Sequence, residues 1–311
     1  MQRLLWLASS QARACLILGL VGGLAFPRFA AVLVPWLPHM VAVLLTVTAL
    51  RIGPQAAKGA LVDVPRGLAA VIGLQAGLPL VFYALLSLAG VAQTQAGMAI
   101  VLVTAAPAIS GSINLALLMG LDAGRMMQVL VLGTAAFPLT LMPVLAALPQ
   151  LGAVDEILAA SLRLLAVICG ATALGFALRA WCFPKATEGQ VKALDGLSVL
   201  AFSFIVVGLM AALTPALMRA PSEVLAWTLL AFSLGFGLQF LVLLMLRRNG
   251  TRHATGPLAL AAGNRNIAIF LVALPAEVLA PLMIFIGCWQ LPMYLTPILL
   301  PRLYRWALPR D

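Results

Sequence analysis

The chain has 311 residues, 63% of them hydrophobic and only 9% charged, with a mean hydropathy of +1.10. Soluble domains run at about 45–50% apolar and about 25% charged, so soluble enzymes, nucleic-acid binders and disordered proteins are excluded. The net charge of +10 then becomes a question of membrane sidedness rather than of nucleic-acid binding.

A helix crossing the hydrocarbon core needs about 20 apolar residues. Ten candidates follow in chain order: 13–27, 33–50, 67–90, 96–120, 125–148, 155–180, 194–213, 224–247, 256–274 and 279–300. Breaks are expected at Pro35 and Pro38, at Gln93-Thr94-Gln95, at Leu121-Asp122, at Pro149-Gln150, at Pro184, at Pro221 and at Pro275-Ala276. Apolar runs of this length exclude a β-barrel, whose strands alternate over about ten residues. The apolar stretch Leu4 to Ala8 is too short for a signal-peptide core of about 7–15 residues, so the N-terminus reads as mature chain. The four cysteines form no CxxC or CxxH pair, and no structural metal site is expected.

Ten spans put both termini on one side. That side receives 15 of the 19 basic residues, from Arg3 to Arg310, while the other receives Arg28, Arg163 and Arg219. The asymmetry makes the basic side, with both termini, cytoplasmic. Trp6, Trp36, Trp181, Trp227 and Trp306 fall near span ends, where aromatic anchors belong.

Ten spans divide into two five-helix halves, 1–150 and 151–311, and a five-helix unit repeated once must lie inverted. Many secondary transporters are built so. The fourth span of each half carries small polar residues in mid-run: Thr104-Ala-Ala-Pro107-Ala-Ile-Ser110-Gly111-Ser112-Ile-Asn114 and Ala261-Ala-Gly263-Asn264-Arg265-Asn266. Such residues are tolerated in lipid only where backbone lines a cavity or is buried in protein. Two broken, crossing helices are therefore expected, with small-residue packing as the plainer alternative.

Arg265 lies midway along its span, and placing it there costs about 2.5–3.5 kcal/mol on the insertion scale. Asp63, Asp122, Asp155, Glu156, Glu188, Glu223 and Glu277 all sit in loops or at span ends. The charge must be met by carbonyl ends of a broken helix, by water or by an anionic ligand. Arg265 is thus either a substrate or gating residue or a structural cap of carbonyls. Asn114, Asn264, Asn266, Ser110 and Ser112 can cap half-helices and bind a ligand beside it, or serve as interhelical hydrogen bonds. Gln75 and Gln239 read equally as packing or site residues. No nucleophile–base pair occurs at one depth, so no enzyme is expected.

The motifs Pro107-Ala-Ile-Ser110-Gly111-Ser112-Ile113-Asn114, Gly120-Leu121-Asp122, Ala136-Phe137-Pro138, Pro143 and Gly263-Asn264-Arg265-Asn266 resemble those of the bile acid:sodium symporter family. The resemblance implies a core domain from spans 3–5 and 8–10 and a panel domain from spans 1, 2, 6 and 7. It also implies carriage of an organic anion by alternating access across a bacterial inner membrane. The family's sodium ligands would correspond to Ser112, Gln75 and Asn266. Its Glu and Gln become Ala261 and Arg265, so the lost carboxylate and added cation argue against sodium coupling.

The reading is an all-α polytopic membrane protein of ten transmembrane helices, with the lipid bilayer and a small anionic substrate as partners, no nucleic acid and no cofactor. A sodium-coupled symporter with a rearranged ion site is the first alternative. A receptor or assembly subunit without transport is the second. The charge split makes a topological prediction: a cysteine at position 277 is labelled by an impermeant thiol reagent from outside, and one at position 185 or 248 is not. Labelling at 185 or 248 with protection at 277 reverses the orientation.

Overall fold

The computed structural model describes residues 2–61, 63–148, 154–184, 186–248 and 250–308, with the side chains of Gln2, Arg13, Val154 and Ile157 left aside. Lys185, Arg310 and the Pro149-Gln150 break lie outside the described residues. Within them the chain is helical throughout and holds only one isolated β-bridge. In chain order the helices are α1 (Gln2–Ser10), α2 (Ala12–Ala25), α3 (Pro27–Leu33), α4 (Leu37–Gly59), α5 (Val64–Ile72), α6 (Leu78–Leu88), α7 (Gln95–Ala105), α8 (Ser112–Leu118) and α9 (Ala123–Ala146). They continue as α10 (Val154–Cys182), α11 (Glu188–Leu209), α12 (Leu213–Arg219), α13 (Pro221–Leu246), α14 (Arg252–Gly263), α15 (Phe270–Ala273), α16 (Ala276–Leu279), α17 (Met283–Leu299) and α18 (Pro301–Ala307).

Seven helical stretches among the described residues are long and apolar enough to cross a membrane: 27–59, 64–88, 123–146, 158–182, 188–219, 221–246 and 276–299. The protein is thus a polytopic α-helical chain by length and composition. The other three expected spans are not continuous. The first is α2, which meets α1 at a sharp bend. The fourth and ninth are interrupted, at 106–111 and at 264–266.

Local chemistry explains most boundaries. Thr94 accepts a hydrogen bond from the Gly97 amide, Asp122 from the Arg125 amide, and Thr187 with Gln190 forms a capping box. Each satisfies amides left free at a helix start. One expected break is corrected. Pro35 and Pro38 do not separate two spans; they sit in a 3-10 turn and the first turn of α4, inside one continuous stretch from Pro27. Proline is tolerated where its missing amide would have no partner. The chain turns instead at Phe26, before Pro27.

The helices pack in two sets. In one, α2 and α4 lie on α11, and α4 lies on α10. In the other, α9 packs on α5, α8 and α14, α6 on α7, and α13 on α14 and α17. The sets meet where α10 touches α9, where α15 touches α4 and α10, and where α17 touches α11. Outward faces are apolar, as at Leu88, Met218 and Trp181, which are at least four-fifths exposed. Trp6, Trp36, Trp181 and Trp306 are exposed, whereas Trp227 is buried against Phe285.

A close helix approach joins α13 to α14. A Cβ placed on Gly263 would lie 2.0 Å from the Gly235 carbonyl oxygen and 2.5 Å from Gln239 Cγ. Gly263→Ala should therefore destabilise the fold by about 1–3 kcal/mol through overpacking. Gly237→Ala, with nothing within 4 Å, should be neutral or better. Thermal unfolding in detergent measures both, and equal melting temperatures would show that α13 and α14 are not in contact here.

Candidate functional site

The two interruptions are paired. Ala108 and Arg265 form an antiparallel bridge, in which the Ile109 amide donates to the Asn264 carbonyl at 3.0 Å and the Asn266 amide to the Pro107 carbonyl at 2.8 Å. Broken backbone buried in protein needs partners for its polar groups, and here each break supplies them for the other. The first break is written locally. Pro107 disfavours helical backbone at the preceding residue, and Ala106 is extended at φ −58°, ψ 147°. The second has no proline; Asn264 leaves the helix and its side-chain amide donates back to the Leu260 carbonyl at 2.9 Å.

Arg265 ties three helices at this junction. It is 1% exposed, and its guanidinium donates to three carbonyls: Ala262 at 2.9 Å, Ala106 at 2.8 Å and Leu74 at 3.2 Å. Each carbonyl lacks a helical partner for its own reason. Ala262 lies in the last turn of α14 and Ala106 caps α7, where carbonyls are orphaned. Leu74 lies in a π turn, 73–77, in which the Leu78 amide bonds the Gly73 carbonyl. The next bond in that register would need an amide at position 79, which is a proline and has none. Two C-terminal helix ends also present the negative pole of their dipoles. Trp289 of α17 donates its indole N–H to the Arg265 carbonyl at 3.0 Å. Among the described residues the guanidinium faces carbonyls at two helix ends and at a π turn.

The other predicted residues divide. Asn264 and Asn266 are buried at the junction with Arg265. Ser112 is fully buried, and its hydroxyl, like the Asn264 side-chain oxygen, has no hydrogen-bond partner. Gln75 is engaged in packing: its side-chain oxygen accepts from Thr140 at 3.1 Å. Gln239 does likewise, donating to Thr296 at 3.2 Å and accepting from Tyr304 at 2.8 Å. Among these residues, Ser110 and Asn114 line open space.

That space lies between the two helix sets, on both sides of α4. One cavity, about 80 Å³, is lined by Thr48, Arg51, Ser110, Asn114, Phe202 and Tyr294. A second, about 410 Å³, is lined by Thr48, Lys58, Ser110, Thr134, Thr172 and Phe176. Thr48 and Ser110 belong to both. The cation beside Asn114 is therefore Arg51. Its guanidinium donates to the Asn114 side-chain oxygen at 2.9 Å and forms an ion pair with Asp195. Arg51 precedes a kink at Gly53, whose φ of 73° and ψ of 158° suit glycine alone. Sequence reading placed Arg51 at a span end and passed over Asp195. The legible signal was a carboxylate just inside the seventh span, at the depth of that arginine.

Neither protein-family models nor curated proteins give a match to this chain.

The carbonyl contacts of Arg265 predict a stability effect. Arg265→Met leaves three buried carbonyls without a donor, at about 1–3 kcal/mol each. It should lower stability by several kcal/mol, and Arg265→Lys should recover part of that. Detergent melting curves read the difference, and a wild-type melting temperature for Arg265→Met would remove the guanidinium from its structural role.

Proposed function

We propose that this chain is a ten-span secondary carrier of an organic anion, working by alternating access between the two helix sets in a bacterial inner membrane. The observation that carries the reading is the paired interruption of two helices, whose part-buried turn at Ser110 lines cavities between the sets. Interrupted helices in matching positions of two halves mark the binding site of many carriers.

The inverted-repeat reading has support from a Gln–Thr bond in each half. In the first half Gln75 bonds Thr140, which lies between Pro138 and Pro143. In the second Gln239 bonds Thr296, which lies between Pro292 and Pro297. A Gln–Thr bond thus joins the third and fifth span of each half beside two prolines five residues apart, with Thr140 two residues and Thr296 four residues after the first proline. The core and panel domains follow the two packing sets, with α5–α9 and α13–α17 as core and α2–α4 and α10–α12 as panel.

Sodium fits this chain poorly as a co-transported substrate. Of the ligand positions that the family resemblance implies, the Gln75 oxygen is taken by Thr140, and no carboxylate replaces Ala261. The adjacent Leu74 carbonyl already holds the Arg265 guanidinium. A sodium ion about 4 Å from that guanidinium would be repelled by about 4 kcal/mol at an effective dielectric near 20, or about a thousandfold in affinity. The unpartnered oxygens of Ser112 and Asn264 favour the alternative, a symporter with a rearranged ion site.

Uptake into proteoliposomes, across a panel of radiolabelled carboxylates and sterol conjugates, tests the reading. Wild type should transport equally in sodium and choline buffers. Strict sodium dependence would return it to the sodium-coupled class, and no uptake of any anion would leave the receptor or assembly reading.

A further inference from the structure

Arg51 and Asp195 place an ion pair at the wall of a cavity, and one member of that pair is not committed to the fold in the way Arg265 is. Arg265 is enclosed and faces carbonyls. Arg51 is part-buried, with its side chain 11% exposed, and lines open space with Asn114 and Ser110. Its charge is balanced by Asp195, whose side chain is 20% exposed. On α11, Ser198 and Phe202 of the same cavity follow Asp195 by one and two turns. The cavity continues past Asn114 and Leu118 to a surface opening at the α1–α2 bend, lined by Ser9, Ser10 and Gln11.

Asp195 is the one carboxylate that faces Arg51 among the described residues. On the elements packed there the acidic groups besides Asp195 are exposed Glu188 at the start of α11 and Asp155 and Glu156 in the first turn of α10, at the far end of that helix from Arg179; Tyr294 of α17 adds a hydroxyl. The basic groups include Arg179 of α10, which lies against Gly53, Lys58 beyond the kink, Lys192 one turn before Asp195, and Arg3 of α1. α8 contributes only Asn114. An anion entering this cavity therefore meets a guanidinium that already has a carboxylate. For the anion to take that place without leaving a second buried negative charge, the first carboxylate must become neutral.

We propose that Arg51, Asn114 and Ser110 form a binding site for the anionic group of a sulfonate or carboxylate, opened by protonation of Asp195. The carboxylate takes one proton and releases Arg51, and the guanidinium pairs with the incoming anion. The site holds one positive and one negative charge before and after, so one proton and one monoanion enter together without net charge. Asp195 does the work that a co-transported cation would do, which fits a chain whose junction is occupied by Arg265. The inference deepens the carrier reading and rests on it for the transport step alone; the linkage of proton to anion stands on the site.

Direct measurement of proton uptake tests it. Purified protein in weakly buffered detergent solution is mixed with benzenesulfonate or taurocholate, sulfonates that stay ionised over the range used, and released or absorbed protons are followed with an indicator dye. Wild type should absorb protons on binding, approaching one per anion. Its affinity should rise toward acid pH by up to about tenfold per unit, the limit for one linked proton. Asp195→Asn should bind with an affinity that no longer changes with pH and should absorb no proton. Arg51→Gln should lose at least about tenfold in affinity. Binding by wild type without proton uptake overturns the proposal, as does proton uptake retained in Asp195→Asn or no binding of either sulfonate. Should Asp195→Asn fail to fold, the wild-type proton count and Arg51→Gln still decide. In proteoliposomes the two readings separate: linked binding with no uptake defeats the carrier alone, whereas uptake with no accompanying proton defeats only the role of Asp195.

Discussion

The structure depends on how two interrupted helices satisfy their buried backbone. Carbonyls at a helix end have no solvent to turn to inside a membrane-sized apolar bundle. The chain meets this with a two-bond antiparallel bridge and a single guanidinium. Arg265 is costly in an apolar interior only when its donors go unmet. Here they meet carbonyls orphaned by a helix end, a proline and a π turn. A residue that reads as a liability is what joins α7, α14 and the π turn before α6 into one unit.

That unit has a consequence for the cavities. α7 and α14 are held at 106–109 and 264–266, and the turn that follows, Ser110 and Gly111, faces the cavities beside α4 of the other helix set. Thr48 and Ser110 both line the open space there. A tight glycine contact, between Gly235 and Gly263, lies within one set. Across the boundary, the polar link at the first cavity is the bond from Arg51 to Asn114. Elsewhere the boundary is apolar, with Val41, Leu164 and Phe202 of one set in the same buried cluster as Phe137, Phe270 and Trp289 of the other.

Polar side chains elsewhere follow the logic of an apolar surround. Gln75 with Thr140 and Gln239 with Thr296 and Tyr304 satisfy one another across helices. Thr48, Thr104 and Ser203 return their hydroxyls to carbonyls within their own helices. Against this background Arg51 and Asp195 stand apart as a charged pair beside open space.

Composition and apolar run length alone determined the helical, membrane-crossing class, because no other surface can be made from so few charges. The proline at position 107, with the small polar residues after it, fixed the first interruption, since the backbone before a proline is restricted whatever its surroundings. The interruption at Asn264 could be suspected from Gly263 and the polar run, but its conformation comes from pairing with a segment more than 150 residues away. The boundary at Pro35 and Pro38 was misread because proline inside a first turn and proline ending a helix look alike in sequence. Arg265 announced a buried charge that had to be met, yet sequence could not choose between ligand and carbonyls, because orphaned carbonyls are a property of helix ends in space. The approach of Arg51 to Asp195 and Asn114 was decided only by tertiary structure: three helices far apart in the chain bring these residues together, and nothing in their local sequence requires it.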